Sequence, residues 1–136
     1  MTKTVLQPEG WALPKGYANG VAATCATGRQ VFVAGQIGWN AQCRFESDDL
    51  VDQVRQALLN VRAVLAEAEA EPAHVARMTW YLVDRRDYLA RAGDIGRVYR
   101  EVMGREFAIA MTAVQVVGLM EERAKVEIEV TAVVPA

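Results

Sequence analysis

The chain has 136 residues, 52% of them hydrophobic and 24% charged, a balance that fits one globular domain spanning 1–136 and excludes a disordered segment. Its 15 Lys and Arg stand against 17 Asp and Glu, a net charge of -2 with no basic run, which argues against a nucleic-acid partner. No apolar run approaches the roughly 20 residues that cross a bilayer, and the start, MTKTVLQPEG, lacks the apolar stretch of a signal peptide, so a cytoplasmic protein without a membrane partner is expected.

In chain order, a loose start with an edge strand over Thr4–Leu6 leads into GVAATCATGRQVFVAGQIG. This reads as a hairpin of strands Val21–Ala26 and Gln30–Gln36, turned at Thr27 and Gly28, because glycine takes positive φ without a steric cost. In SDDLVDQVRQALLNVRAVLAEAEA, Leu50, Val54, Leu58, Val61 and Leu65 recur at helical steps and predict one long helix with an apolar stripe. Ser47 or Asp48 is expected to cap it, and Glu71-Pro72 to end it.

Val75–Asp84 is rich in β-branched and aromatic residues and predicts a strand. A second helix is predicted from about Ala92 to Met103, with Ile95, Val98, Tyr99, Val102 and Met103 buried and Gly104 closing it. Two last strands follow, Phe107–Val117 and Lys125–Val134, which are expected to pair with each other. The order is β-β-β-α-β-α-β-β, a mixed sheet with two helices on one face. Several strands are apolar on both faces, as in Val31, Phe32 and Val33, so the face opposite the helices needs cover, and a second copy of the chain is the simplest supplier.

Side chains along a strand alternate, so Glu127, Glu129 and Thr131 share one face of the last strand and Val126, Ile128 and Val130 the other. If Met111 and Glu127 point into one space, they form an apolar pocket holding a carboxylate, and burial raises such a pKa toward general acid–base use. Periodicity alone favours the plainer reading of a solvated strand face. Likewise Tyr17 reads as a loop anchor, Gly35 as a bulge or close backbone approach, Trp39 as a packing residue and His74 as a surface residue. Cys25, Cys43 and the single histidine fit no metal spacing, so no metal or other cofactor is expected, and the thiols read as reduced.

Taken together, GYANG (Gly16–Gly20), VFVAGQIG (Val31–Gly38), QVRQALLNVRAVL (Gln53–Leu65), MTWYLVD (Met78–Asp84) and VEIEVTAV (Val126–Val133) resemble the reactive-intermediate deaminase family, Rid or YjgF-like, from about Pro14 to Val134. The resemblance implies an α+β fold like that of bacterial chorismate mutase and a homotrimer with active sites in clefts between subunits. It implies hydrolysis of enamines and imines, small molecules such as 2-aminoacrylate, to 2-keto acids and ammonia.

The family's signature is Pro-Ala-Arg, two small residues, then Val, an acid or amide, and Val. Here it reads Ile109-Ala110-Met111, Thr112-Ala113, Val114-Gln115-Val116. The arginine that grips a substrate carboxylate is therefore Met111, and a thioether offers neither charge nor N–H. The family's water-positioning glutamate corresponds to Glu127, and Tyr17 and Gly35 match its pocket positions. The expectation is a Rid-like enzyme with a non-standard substrate, deaminating an enamine or imine or doing related acid–base chemistry on a conjugated C=N or enol group, with Trp39 and Met111 shaping a more apolar pocket. The alternative is a non-catalytic trimer that binds a small molecule or a partner. RNA cleavage, implied by some relatives, is disfavoured by the charge.

Overall fold

The protein is described here by a computed structural model covering residues 2–14, 18–105 and 109–136. Tyr17 and Phe107, named above, lie outside the described residues. Among the described residues ten elements follow one another: β1 (Thr2–Leu6), β2 (Gly20–Cys25), β3 (Gly28–Ile37), α1 (Leu50–Glu67), a short 3-10 turn (Pro72–His74), β4 (Val75–Leu82), α2 (Arg85–Ala90), α3 (Ala92–Met103), β5 (Ala110–Gln115) and β6 (Val126–Pro135).

The strands form one sheet in the order β1-β2-β3-β6-β4-β5. All neighbours are antiparallel except β4 and β5, which are parallel. This corrects the expected pairing of the last two strands: β4 lies between them. The cause is the connection from β4 to β5. It runs through α2 and α3, and a helical crossover returns a strand parallel to the one it left. β5 is thereby taken to the sheet edge, where all six of its residues are exposed.

The stripe predicted for α1 is the core. Leu50, Val54, Leu58, Val61 and Leu65 are all buried, and they pack with Val31, Val33, Met78, Trp80, Ile128 and Val130 from the sheet. Ile95, Val98, Tyr99, Val102 and Met103 of α3 join the same cluster. Both main helices therefore cover one face. On the other face Phe32 and Val133 are exposed, each on a strand whose alternate residues are buried.

Helix ends differ from the expectation by a few residues. Asp49 caps α1 by accepting from the Asp52 amide at 3.2 Å, while Ser47 Oγ donates to Asp52 at 2.8 Å. At the other end, Glu69 adopts positive φ (57°), and the Ala70 and Glu69 amides bond back to Leu65 and Ala66. That closing pattern ends the helix at Glu67, ahead of Pro72. The extra helix α2 was absent from the expectation. It has no buried residue to set up a periodicity, and it is held by Asp84, whose carboxylate accepts from the Arg86 and Asp87 amides.

Candidate functional site

Glu127 stands on the uncovered face of β6, opposite Ile37 of β3 and Tyr81 of β4. Beside it the β3 register shifts between Val33 and Gln36, so Ala34 and Gly35 form a bulge. A Cβ built on Gly35 would lie 2.4 Å from Glu127 Oε1, 2.8 Å from Cδ and 2.9 Å from Cγ. The carboxylate thus rests in space that only glycine leaves empty. Of the two sequence readings of Gly35, bulge and close approach, both describe the same geometry.

Two buried amides of α1 fix the strands that carry this pair. Asn60 Nδ2 donates to the Ile37 and Trp39 carbonyls at 3.1 and 2.8 Å. Gln53 Nε2 donates to the Ser47 and Arg123 carbonyls, and its Oε1 accepts from the Lys125 amide at 2.8 Å. Gly38 lets β3 approach this amide closely, because a Cβ there would sit 2.5 Å from Gln53 Cβ. The end of β3 and the start of β6 are therefore both tied to α1, two residues away from Glu127.

Partial burial raises the Glu127 pKa above its ordinary value of 4.5, and the nearby Glu129 carboxylate adds to the rise. Glu129 itself accepts from the Tyr81 hydroxyl at 2.6 Å. That hydrogen bond is the main cause holding the Tyr81 pKa above 10.0. Among the described residues no donor reaches the Glu127 carboxylate. A raised carboxylic acid with free lone pairs is equipped to hold water and to exchange a proton with it.

Met111 of β5 pairs with Met78 of β4, whereas Glu127 of β6 pairs with Tyr81 of β4. Met78 is a core residue on the helix-covered side, and Tyr81 is an odd number of residues further along the same strand. Met111 and Glu127 therefore face opposite sides of the sheet, and within one chain they do not share a space. Met111 instead lines a cavity of about 320 Å³ between β5 and α3, with Trp80, Tyr88, Ile95, Tyr99 and Arg100. Trp39 belongs to neither place. It packs against Phe45, with ring centroids 5.9 Å apart, and lines a small separate cavity with Trp11, Asn19 and Asn60. His74 uses Nδ1 to accept from the Glu71 amide at 2.9 Å, a local turn contact.

Sequence reasoning missed Tyr81, Tyr88 and Arg100. Tyr81 carried a signal, being the polar-tipped residue between Trp80 and Leu82 in an alternating strand. Arg100 carried one too, lying four and eight residues beyond the small Gly96 and Ala92 on one helix stripe.

A bulged strand holding a glutamate over a glycine, on a six-stranded sheet covered by two helices, defines a small α+β protein with a partly buried acid on its open face. The chain belongs to the family described as Endoribonuclease L-PSP, also known as YjgF or Rid, whose model matches residues 13–134. A RutC family protein from Pasteurella multocida is 30% identical over 106 residues, covering 78% of this chain and 81% of that one. Protein DfrA from Myxococcus xanthus is 37% identical over 110 residues, covering 78% and 77%. Among solved structures, a Mycobacterium tuberculosis member of the YjgF/YER057c/UK114 family aligns with a TM-score of 0.73 at 27% identity, covering 98% and 100%. Escherichia coli TdcF with bound serine aligns with a TM-score of 0.78 over 96% and 98%, and at 22% identity that likeness concerns the fold.

Proposed function

We propose that the chain is an enamine- or imine-hydrolysing enzyme whose site is assembled between two copies, as in a homotrimer. The observation that carries this reading is Glu127, a half-buried carboxylate with a raised pKa, seated over Gly35 with no donor of its own among the described residues. In its protonated form it delivers a proton to an enamine carbon, giving the iminium ion and leaving the carboxylate. As the carboxylate it takes a proton from water while the oxygen adds to the C=N carbon. The acid so regenerated protonates the nitrogen of the adduct, the C–N bond breaks, ammonia leaves, and the hydroxyl proton returns to the carboxylate as a ketone forms.

The opposite placement of Met111 and Glu127 supports the two-copy arrangement. The apolar cavity behind β5 and the acid on the open face come together only if one chain supplies each. Exposed Phe32, Val114 and Val133 give a second copy apolar area to cover. TdcF carries serine in its structure, which supports a small-molecule ligand for the fold. RNA cleavage, suggested by the family's description, is not favoured by a net charge of -2.

The test is release of ammonia and keto acid from enamines generated in situ, small and aromatic, against the spontaneous rate. Glu127→Gln should abolish turnover while ligand binding survives. If no enamine or imine turns over yet ligands bind, the chain is a binding protein. The specific observation favouring that second reading is the 320 Å³ cavity, whose lining among the described residues includes no carboxylate and no histidine.

A further inference from the structure

On α3, Ala92, Ile95, Gly96, Tyr99 and Arg100 follow the spacing of a single helix stripe, and all five line the cavity that also holds Met111. Ile95 and Tyr99 are buried, whereas Ala92 and Gly96 are too small to fill the gap between α3 and β5. That deficit of side-chain volume is the cavity. Among the described residues, Arg100 is the one charged residue in its lining. Its Nη1 lies 3.3 Å from the place of a Cβ on Gly96, so the guanidinium folds back one turn along the helix, over the space the glycine leaves.

Arg55, Arg91, Arg97 and Arg123 are each ion-paired. Among the described residues, Arg100 has neither an ion pair nor a side-chain hydrogen bond, and no carboxylate lines the cavity beside it. The rest of the lining is aromatic and aliphatic: Trp80, Tyr88, Ile95, Ile109 and Met111. An apolar groove with one solvent-exposed cation at its rim favours a ligand with a negative group and an apolar body. A guanidinium fork matches one carboxylate by two parallel hydrogen bonds, and the described lining holds no second cation for a further negative charge. At about 320 Å³ the space is near the lower end for small-molecule sites, which suits a single ring on a short acid chain.

We propose that Arg100 is the anion clamp of this site, reaching from α3 to do what Met111 on β5 cannot, and that the cavity takes monocarboxylates bearing an aromatic or branched apolar body. This deepens the proposed function and rests on it for the reaction, but not for the binding. The ligand's acid end is held at the helix wall of the cavity, while its apolar body lies against Met111 and Trp80. Enamines and imines derived from aromatic amino acids have that shape, and alanine-derived ones lack the body.

The test is calorimetric titration of the full chain with 3-phenylpropanoate, propanoate and 3-phenylpropanamide. 3-Phenylpropanoate should bind at least about tenfold more tightly than either of the others. Arg100→Gln should bring the acid down to the level of the amide and leave the amide unchanged, and Arg100→Lys should recover part of the difference. Gly96→Leu, which fills the cavity, should remove binding of both ring compounds. Equal binding of acid and amide by the parent, or an acid preference that survives in a folded Arg100→Gln, overturns the clamp. Glu127→Gln separates the two readings. If the acid preference holds and no enamine is turned over by the parent, the enzymatic reading fails and the clamp stands. If enamines turn over but Arg100→Gln changes neither the binding constant nor KM, the clamp fails alone.

Discussion

Gly35→Ala is a one-methyl perturbation aimed at the Glu127 carboxylate. Gly35 is not in the left-handed region, so alanine is compatible with its backbone. The added Cβ would start 2.4 Å from Oε1, and ordinary contact begins at 3.4 Å, so the oxygen must retreat by 3.4 − 2.4 = 1.0 Å. The three nearest atoms all belong to the Glu127 side chain, which can rotate away without moving a strand. The variant should therefore fold with nearly the parent's stability. A catalytic group displaced by about 1 Å loses on the order of a hundredfold in rate. Gly38→Ala is the contrasting control. Its Cβ would start 2.5 Å from Gln53 Cβ and 2.7 Å from its Cα, so backbone must move, and a loss of roughly 1–3 kcal/mol in stability is expected. The assays are thermal unfolding and keto-acid release from an enamine, with the Glu127 carboxyl carbon titrated by NMR. Gly35→Ala with the parent's rate and the parent's Glu127 titration would refute the placement of this carboxylate over the glycine.

Glu127→Gln should also change stability with pH. A glutamate whose folded pKa is raised above 4.5 destabilises the native state once ionised, so the parent loses stability as pH rises from the ordinary value through the folded one. The variant should thus melt higher than the parent at pH 7 to 8, with the gap closing by about pH 4. Glu129→Gln removes a neighbouring negative charge and should lower the Glu127 pKa, moving the acid limb of the pH–rate profile to lower pH. The same change frees the Tyr81 hydroxyl, and its pKa should fall toward 10.0 by ultraviolet titration. Met111→Arg adds a second guanidinium to the cavity that already holds Arg100, and should lower the melting temperature by a few degrees, on the order of 1 kcal/mol. Adding Arg100→Met to that variant should restore the loss, as read by calorimetry.

The parts of the fold that follow from a side-chain period were legible in the sequence. The α1 stripe and the buried face of α3 lie where spacing places them, because burial against one sheet face demands that spacing. The neighbour relation of β5 was not legible. Nothing in its own residues says that α2 and α3 turn it parallel to β4, and two successive strands joined by a loop invite the simpler hairpin. The helix end at Glu69 was hidden for a different reason: a positive-φ residue is usually signalled by glycine or asparagine, and here it is a glutamate. At the site, the alternation of Glu127 and Glu129 against Val126 and Ile128 gave the face correctly. That Met111 lies on the other face depends on register between strands, which periodicity within one strand does not carry. Arg100 was obscured because the role proposed for it depends on the emptiness left by Gly96 and Ala92, and a sequence shows residues more readily than the gaps between them.

The central claim is that one chain supplies Glu127 and another the cavity behind β5, and mixed assemblies of two inactive variants test it most directly. Glu127→Gln removes the acid and leaves the cavity. Gly96→Leu fills the cavity and leaves the acid. Each alone should be inactive in enamine hydrolysis. When the two are co-expressed and assemble at random, a site that draws its acid from one variant and its cavity from the other is intact, which makes about a quarter of all sites active. Recovery of activity near that fraction, absent when the two purified variants are kept unmixed, is the predicted result. Mixed assemblies, verified by mass spectrometry, that remain as inactive as either variant would contradict the account, because a site built within one chain has no route to recovery.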